Sequence, residues 1–280
     1  MEAADIFAAV FLVATVAAPP LVWMAVLFLR LRYSLPHFVG WLLVILLVRL
    51  QWRATLPRRP FPLPADRGAV IVCNHRSSID PLYVQALLDR TVHWFVAKEY
   101  FAIPGVGWFL RFCGAIPTTR GGQDTAAVKM AIRYLKQGDC VGLLPEGRIN
   151  MTENTLLPVR PGAALLAMQA RVPVIPMYII GSPFDCYFWT PFLMTARSEA
   201  RVGRPIEISA RAADGAKRDK SEAARQAILA VAREMCRLAG APGFPVRLAG
   251  RDFRPSDEQI KRDHTAFRAR KRAARQNARR

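Results

Sequence analysis

The chain has 280 residues, which at about 150 residues per domain is room for one large domain with an appendage. Apolar residues make up 52% and charged ones 22%, with a mean hydropathy of +0.14, and this excludes a disordered or collagen-like chain. Lys and Arg number 40 against 21 Asp and Glu, a formal charge of +19, so the natural partners are polyanions: nucleic acid, anionic lipid or phosphorylated substrates.

From Ile6 to Leu29 no residue is charged, and about 20 apolar residues suffice to cross a hydrocarbon core. Pro19-Pro20 interrupts this run, and two residues without a backbone N–H are expected to kink or break a helix there. A re-entrant or in-plane arrangement therefore competes with a straight span. Glu2 and Asp5 stand where a cleaved signal carries Lys or Arg, so the segment is expected to be retained. A second apolar run, Phe38 to Val48, is too short for a normal span and suits an interfacial position with Trp41 at headgroup level. Basic flanks at Arg30, Arg32, Arg49, Arg53, Arg58 and Arg59 put the rest of the chain on the cytoplasmic face of the membrane. The expected organisation is membrane-associated hydrophobic helices forming a hairpin over residues 1–56, a proline-rich linker over 57–67, a domain over 68–245 and a basic tail over 246–280.

In that domain β-rich runs alternate with helical patterns. Ala69 to Cys73 precedes a helix over Pro81 to Asp89, and Val92 to Ala97 and a helix over Thr125 to Lys136 follow. Cys140 to Leu144, Pro161 to Gln169 and Val172 to Ile180 complete the alternation. It argues an α/β fold: a central, largely parallel or mixed sheet flanked by helices. Ser221 opens a further helix to about Leu238. Five scattered cysteines without a C-x-x-C pair fit neither a disulfide framework nor a zinc site, and the four histidines show no metal-ligand spacing.

After the first strand comes Asn74-His75-Arg76-Ser77-Ser78-Ile79-Asp80-Pro81. Pro81 fits the first helical position with Asp80 as its N-cap, so His75 and Asp80 share one strand-to-helix loop, where α/β sheets place active sites. A His held by a carboxylate in one tautomer is a better base for taking a proton from an attacking hydroxyl. The plain alternative is a capping Asp80 beside a solvated His75. Cys73 is expected to be a buried strand residue rather than a nucleophile paired with His75.

Three further blocks follow in order: Gly114-Ala-Ile-Pro-Thr-Thr-Arg120, Leu144-Pro-Glu-Gly-Arg148 and Val172-Pro-Val-Ile-Pro-Met177. Together the four blocks, over about residues 65 to 210, resemble the glycerolipid acyltransferase family that contains the 1-acylglycerol-3-phosphate acyltransferases. The resemblance implies that His75 is the general base and Asp80 its orienting partner. It implies that Arg120, Glu146, Gly147 and Arg148 hold a phosphate-bearing acceptor, although Glu146 has the alternative of a structural role, pairing with a nearby arginine and stiffening the pocket. Lys98, after the second strand, is a lesser candidate for the phosphate, with a surface lysine the commoner outcome. The donor the resemblance implies is a fatty acyl thioester on coenzyme A or acyl carrier protein, with no metal and no other cofactor. An activated thioester needs a base, oxyanion donors and cations that fix the acceptor, and Pro145-Glu146-Gly147 makes a turn able to expose backbone N–H groups. The usual block has Thr or Ser between Gly and Arg, whereas here Arg148 follows Gly147 directly, and this shorter form resembles the block in the acyltransferase domain of bifunctional bacterial lysophospholipid acyltransferase/acyl-carrier-protein synthetases. Lysophosphatidate is the first expectation for the acceptor and lysophosphatidylethanolamine the second. Nucleic-acid binding would account for the +19 charge and the arginine-rich end, yet not for the apolar N-terminus or the blocks, and an anionic bilayer accounts for both.

Overall fold

Five consecutive side chains from Ala69 to Cys73 are all buried, and a strand with no face for water belongs in the middle of a covered sheet. The computed structural model describes residues 3–57, 61–64, 66–119, 124–185, 187–209, 219–250 and 256–277. In it β1 (Ala69–Cys73) lies within a six-stranded sheet of order β3-β2-β4-β1-β5-β6. The others are β2 (Val92–Ala97), β3 (Ile116–Thr118), β4 (Cys140–Leu143), β5 (Val174–Ile180) and β6 (Glu199–Val202). β1 pairs in parallel with β4 and β5, β2 with β3 and β4, and β6 alone runs antiparallel, on the edge. The expected α/β sheet is therefore what forms, with β6 as an element the sequence did not announce.

Strand alternation divides the core in two. Val70 and Val72 face helices α6 (Thr125–Lys136), α7 (Gly162–Ala170) and α8 (Lys220–Leu238), where Leu135, Ala164 and Ile228 are buried. Ala69, Ile71 and Cys73 face the other way, onto Tyr83 and Val84 of α3 (Asp80–Leu87) and onto Val48 and Trp52. At roughly 1.5–3 kcal/mol for each large side chain buried, these two layers supply most of the driving force for folding. Asp124 caps α6 through Ala127 N–H at 3.1 Å, and Asp219 caps α8 through Ser221 and Glu222 N–H. Two short helices, α4 (Lys98–Phe101) and α5 (Val106–Phe112), lie between β2 and β3.

The N-terminal segment departs from expectation in three ways. Helix α1 (Ala3–Arg30) runs through Pro19 and Pro20 without a break. The break falls at 31–34, where the pair Thr15–Arg30 and Leu35–Gln51 bends by 113°; among the described residues no single helix is long and apolar enough to cross a membrane, whereas this pair together is. Trp41, on α2 (Leu35–Leu46), does not sit outward: it is buried against Tyr33 and Phe38, ring centroids 6.2 and 6.1 Å away. Beyond α2 a π-helical turn, Leu47–Gln51, carries the chain into the domain. There Trp52 is fully buried against Tyr83, its Nε1 donating to Pro191 O at 3.1 Å, and Thr55 exchanges backbone bonds with Ser198 and Ala200 at the sheet edge. Val48, Trp52 and Ala54 thus pack into the domain core. What remains outward is apolar: Leu35, Val39, Leu43, Leu46 and Leu50 form one exposed stripe, and Phe7, Phe11, Leu12, Val16, Trp23 and Leu29 are exposed on α1.

The segment expected as a basic tail is a helix, α9 (Asp257–Asn277), seated on the loops that follow β4 and β5.

Candidate active site

Because β1 to β5 are parallel, the segments that leave their C-terminal ends converge on one rim of the sheet. His75 and Asp80 follow β1, Lys98 follows β2, Glu146 to Arg148 follow β4 and Ser182 follows β5. Arg120 comes two residues after β3 and lies outside the described residues.

His75 and Asp80 meet: Nδ1 of His75 is 3.0 Å from Oδ2 of Asp80. The same Oδ2 accepts the backbone N–H groups of Arg76 and Ser77, both at 2.7 Å, while Oδ1 accepts the Ser182 hydroxyl at 2.7 Å. Asp80 is completely buried, and four donors are what make a buried carboxylate tolerable. It is not the N-cap that its place before Pro81 suggested. Ile79 occupies that position, Asp80 is the first helical residue, and its carboxylate turns back over the loop. An acceptor-only carboxylate requires His75 Nδ1 to carry the proton, which leaves Nε2 with its lone pair free.

Two further contacts hold the His75 backbone, and others brace the loops around it. Glu146 Oε1 accepts His75 N–H at 2.8 Å and Oε2 accepts Leu157 N–H at 2.8 Å, so this carboxylate is a brace between loops rather than an exposed ligand. Burial raises the Glu146 carboxyl to about 7, against the opposing effect of the two N–H bonds and of His75 and Arg76. Asn150 N–H donates to His75 O at 2.7 Å, and the Arg76 guanidinium is engaged by the carbonyls of Asn150, Thr152 and Asn154. Asn74 pins the end of β1 to β5 by bonding both the N–H and the O of Ile179, at 2.7 and 3.0 Å. Cys73 is a core residue whose thiol burial pushes well above the usual range, so it is no nucleophile.

Gly147 has φ +68°, and a Cβ there would come within 3.2 Å of Arg160 Nε. The turn needs glycine, but its N–H closes the turn onto Leu144 O at 3.0 Å rather than pointing into the site as the sequence suggested. Arg148 projects from this turn, and its Nη1 donates to Asp263 Oδ2 of α9 at 2.8 Å. Lys98 is half exposed and pairs with Asp124 at 3.2 Å, which places it at the β2 end of the rim and engaged with a helix cap rather than with the dyad. The N–H groups of Ala127 and Thr119 and that contact hold the Asp124 carboxyl well below the usual range. A cavity of about 320 Å³ is bounded by Arg76, by Ser182, and by Phe184 and Phe267. Sequence reasoning missed the Ser182 and Asn74 supports, the His75 backbone as partner of Glu146, whose structural role it had kept open, and the partner of Arg148. All four join residues more than 70 positions apart, and no local pattern carries them.

Residues 58–180 match the acyltransferase family model. The chain is 31% identical to a 1-acyl-sn-glycerol-3-phosphate acyltransferase from Bacillus subtilis over 115 residues, 41% of this chain and 56% of the relative. It is 31% identical to the enzyme of the same name from Streptococcus pneumoniae over 146 residues, 51% of this chain and 52% of the relative. It is also 31% identical over 144 residues to the human 1-acyl-sn-glycerol-3-phosphate acyltransferase beta, half of each chain. The chain thus spans about half the length of these relatives. The crystal structure of PlsC, the 1-acyl-sn-glycerophosphate (LPA) acyltransferase from Thermotoga maritima, superposes with a TM-score of 0.54 at 18% identity, covering 86% of this chain and 95% of that one. This likeness shows the fold.

Proposed function

We propose that this chain, which carries an acyltransferase-family domain over residues 58–180, moves a fatty acyl group from an acyl thioester to the free hydroxyl of a lysophospholipid. The acceptor in this reading is 1-acylglycerol-3-phosphate and the product phosphatidate, with coenzyme A or acyl carrier protein as the thiol carrier. The observation that carries it is the pairing of His75 with a buried, fully bonded Asp80 on the sheet rim, in a domain whose relatives bear that enzyme name. His75 Nε2 takes the proton of the acceptor hydroxyl as its oxygen attacks the thioester carbonyl. The C–S bond then breaks, the carbonyl reforms, and the thiolate takes the proton back from the imidazolium. Asp80 holds the tautomer and stabilises the imidazolium, and Glu146 holds the His75 backbone in place. Arg148 and Arg120, with Lys98 as a weaker addition, supply positive charge for the acceptor phosphate.

The acceptor is a membrane lipid, and the exposed apolar stripe of α2 and the apolar surface of α1 are the faces that would lie in the bilayer, on its cytoplasmic side. In that arrangement a lysolipid reaches the rim without leaving the interface. The test is acyl transfer by wild type and His75→Ala on a panel of lysolipids against both thioester types. His75→Ala is expected to lose about 10²- to 10⁴-fold in turnover while staying folded. Near wild-type turnover in the variant overturns the mechanism, and preference for lysophosphatidylethanolamine overturns the choice of acceptor.

A further inference from the structure

We infer that α9 is a latch over the acceptor subsite, opened when its outer face meets an anionic bilayer; this deepens the acyltransferase reading and rests on it. Among the residues of α9 whose exposure is described, the partly covered ones are Ile260, Asp263, His264, Phe267 and Lys271, spaced as one face of a helix. That face is seated on the rim. The Phe267 ring lies 5.7 Å from that of Phe184 and walls the cavity beside Ser182, while Lys271 Nζ donates to Phe184 O at 2.7 Å and pairs with Asp185 at 3.1 Å.

Asp263 lies on the same face and meets Arg148 Nη1 at 2.8 Å, the two side chains only 20% and 17% exposed. Among the described residues Arg148 Nε, buried beside it, has no hydrogen-bond partner. A carboxylate therefore holds one arm of the guanidinium assigned to the acceptor phosphate and leaves another arm unused. Guanidinium forks bind phosphate through two parallel bonds, so the arrangement is that of a phosphate subsite occupied by a smaller internal anion.

The outward side of α9 exposes Lys261, Arg262 and Arg272, while Arg268 flanks the seated face. Arg262 pairs along the helix with Glu258, and Arg268 donates to the Tyr187 hydroxyl at 3.0 Å. An anionic leaflet attracts such a face and competes with the contacts that keep α9 on the rim, among them those of Arg270 with Met151 O and with Glu153. Transfer of α9 to the leaflet frees Arg148 where the lysolipid resides. An acceptor that must first displace Asp263 binds with an affinity reduced by the fraction of open protein, so a latch closed nine times in ten raises the apparent KM about tenfold.

The test uses the full-length protein with a short-chain, water-soluble lysophosphatidate and an acyl-CoA, comparing wild type, Asp263→Asn and Phe267→Ser. Without vesicles both variants are expected to lower the acceptor KM about tenfold and to leave the thioester KM unchanged. Phosphatidylglycerol vesicles are expected to lower the wild-type KM by a similar factor and to change the variants little, and phosphatidylcholine vesicles to change none of them. A second readout does not need activity: trypsin should cut the arginines of α9 faster in both variants than in wild type. Unchanged KM with unchanged cleavage overturns the latch, and a raised acceptor KM in Asp263→Asn overturns it in favour of Asp263 aligning Arg148. If no protein acylates any lysolipid, the acyltransferase reading fails, and the cleavage rates alone decide whether Asp263 holds α9 down.

Discussion

Replacing Asp80 by Asn separates the charge of the dyad from its geometry. Oδ2 of Asp80 faces three donors, His75 Nδ1 and the N–H groups of Arg76 and Ser77, whereas Oδ1 faces the Ser182 hydroxyl, which can turn to accept. The introduced amide is therefore forced to present its oxygen to the three donors and its NH₂ to Ser182. His75 keeps its tautomer, and what disappears is the negative charge that stabilises the imidazolium. Turnover should fall by about 10²- to 10³-fold, which is roughly 3–4 kcal/mol in the barrier. Four charge-assisted bonds become neutral at a cost on the order of 1 kcal/mol each, and relief from burying a charge offsets most of it, so stability should fall by only about 1–2 kcal/mol. Asp80→Ala differs in kind, because it strips the acceptor from two backbone N–H groups in the loop at about 1–3 kcal/mol apiece, a large share of the roughly 5–15 kcal/mol typical of a domain. Initial rates of thiol release at saturating acceptor, with thermal unfolding of the same samples, measure both quantities. A folded Asp80→Asn protein within about threefold of wild type refutes the role of the charge. Equal stability of the Asn and Ala variants refutes the account of the N–H network.

Glu146→Gln should flatten part of the pH dependence of stability. With its carboxyl raised to about 7 in the folded protein, against an ordinary value near 4.5, the folded state holds a proton that the unfolded chain has released. Stability from this group is present below pH 4.5 and declines as pH rises to 7, by about 3 kcal/mol at roughly 1.4 kcal/mol per pH unit. Denaturant unfolding at about pH 5 and pH 8 should show that difference in wild type and not in the variant, and equal differences would sink the argument. For the membrane face, the informative deletion removes residues 1–30 rather than everything before the linker, because Val48 and Trp52 belong to the core. The shortened protein should lose most of its flotation with liposomes and fall in activity on bilayer-embedded acceptor far more than on a short-chain one. Undiminished flotation would assign the membrane contact elsewhere.

What the sequence determined by itself is what arises within a few residues along the chain. β1 and β2 fall on the expected runs, Ala69 to Cys73 and Val92 to Ala97, because unbroken β-branched and apolar segments have no other favourable place than a covered sheet. Helix α6 ends at Lys136, just before Gly138 with φ +91°, and α8 starts beside Ser221 behind its Asp219 cap, because stop and start signals act locally. His75 and Asp80 are five residues apart on one loop, so their meeting was legible. Tertiary structure alone decided that Asp80 turns back instead of capping its helix, since Ser182, which fixes the other carboxylate oxygen, comes from the far side of β5. It alone decided that Trp41 faces inward, because a helix apolar on every side carries no signal for which side meets protein and which meets lipid. A stretch rich in arginine likewise reads as a solvated tail until a rim offers a seat for one helical face. The contact of Asp263 with Arg148, 115 residues away, exists only because five parallel strands deliver their loops to the same edge, and a pairing set by the closure of the whole sheet leaves no trace in any local stretch of the chain.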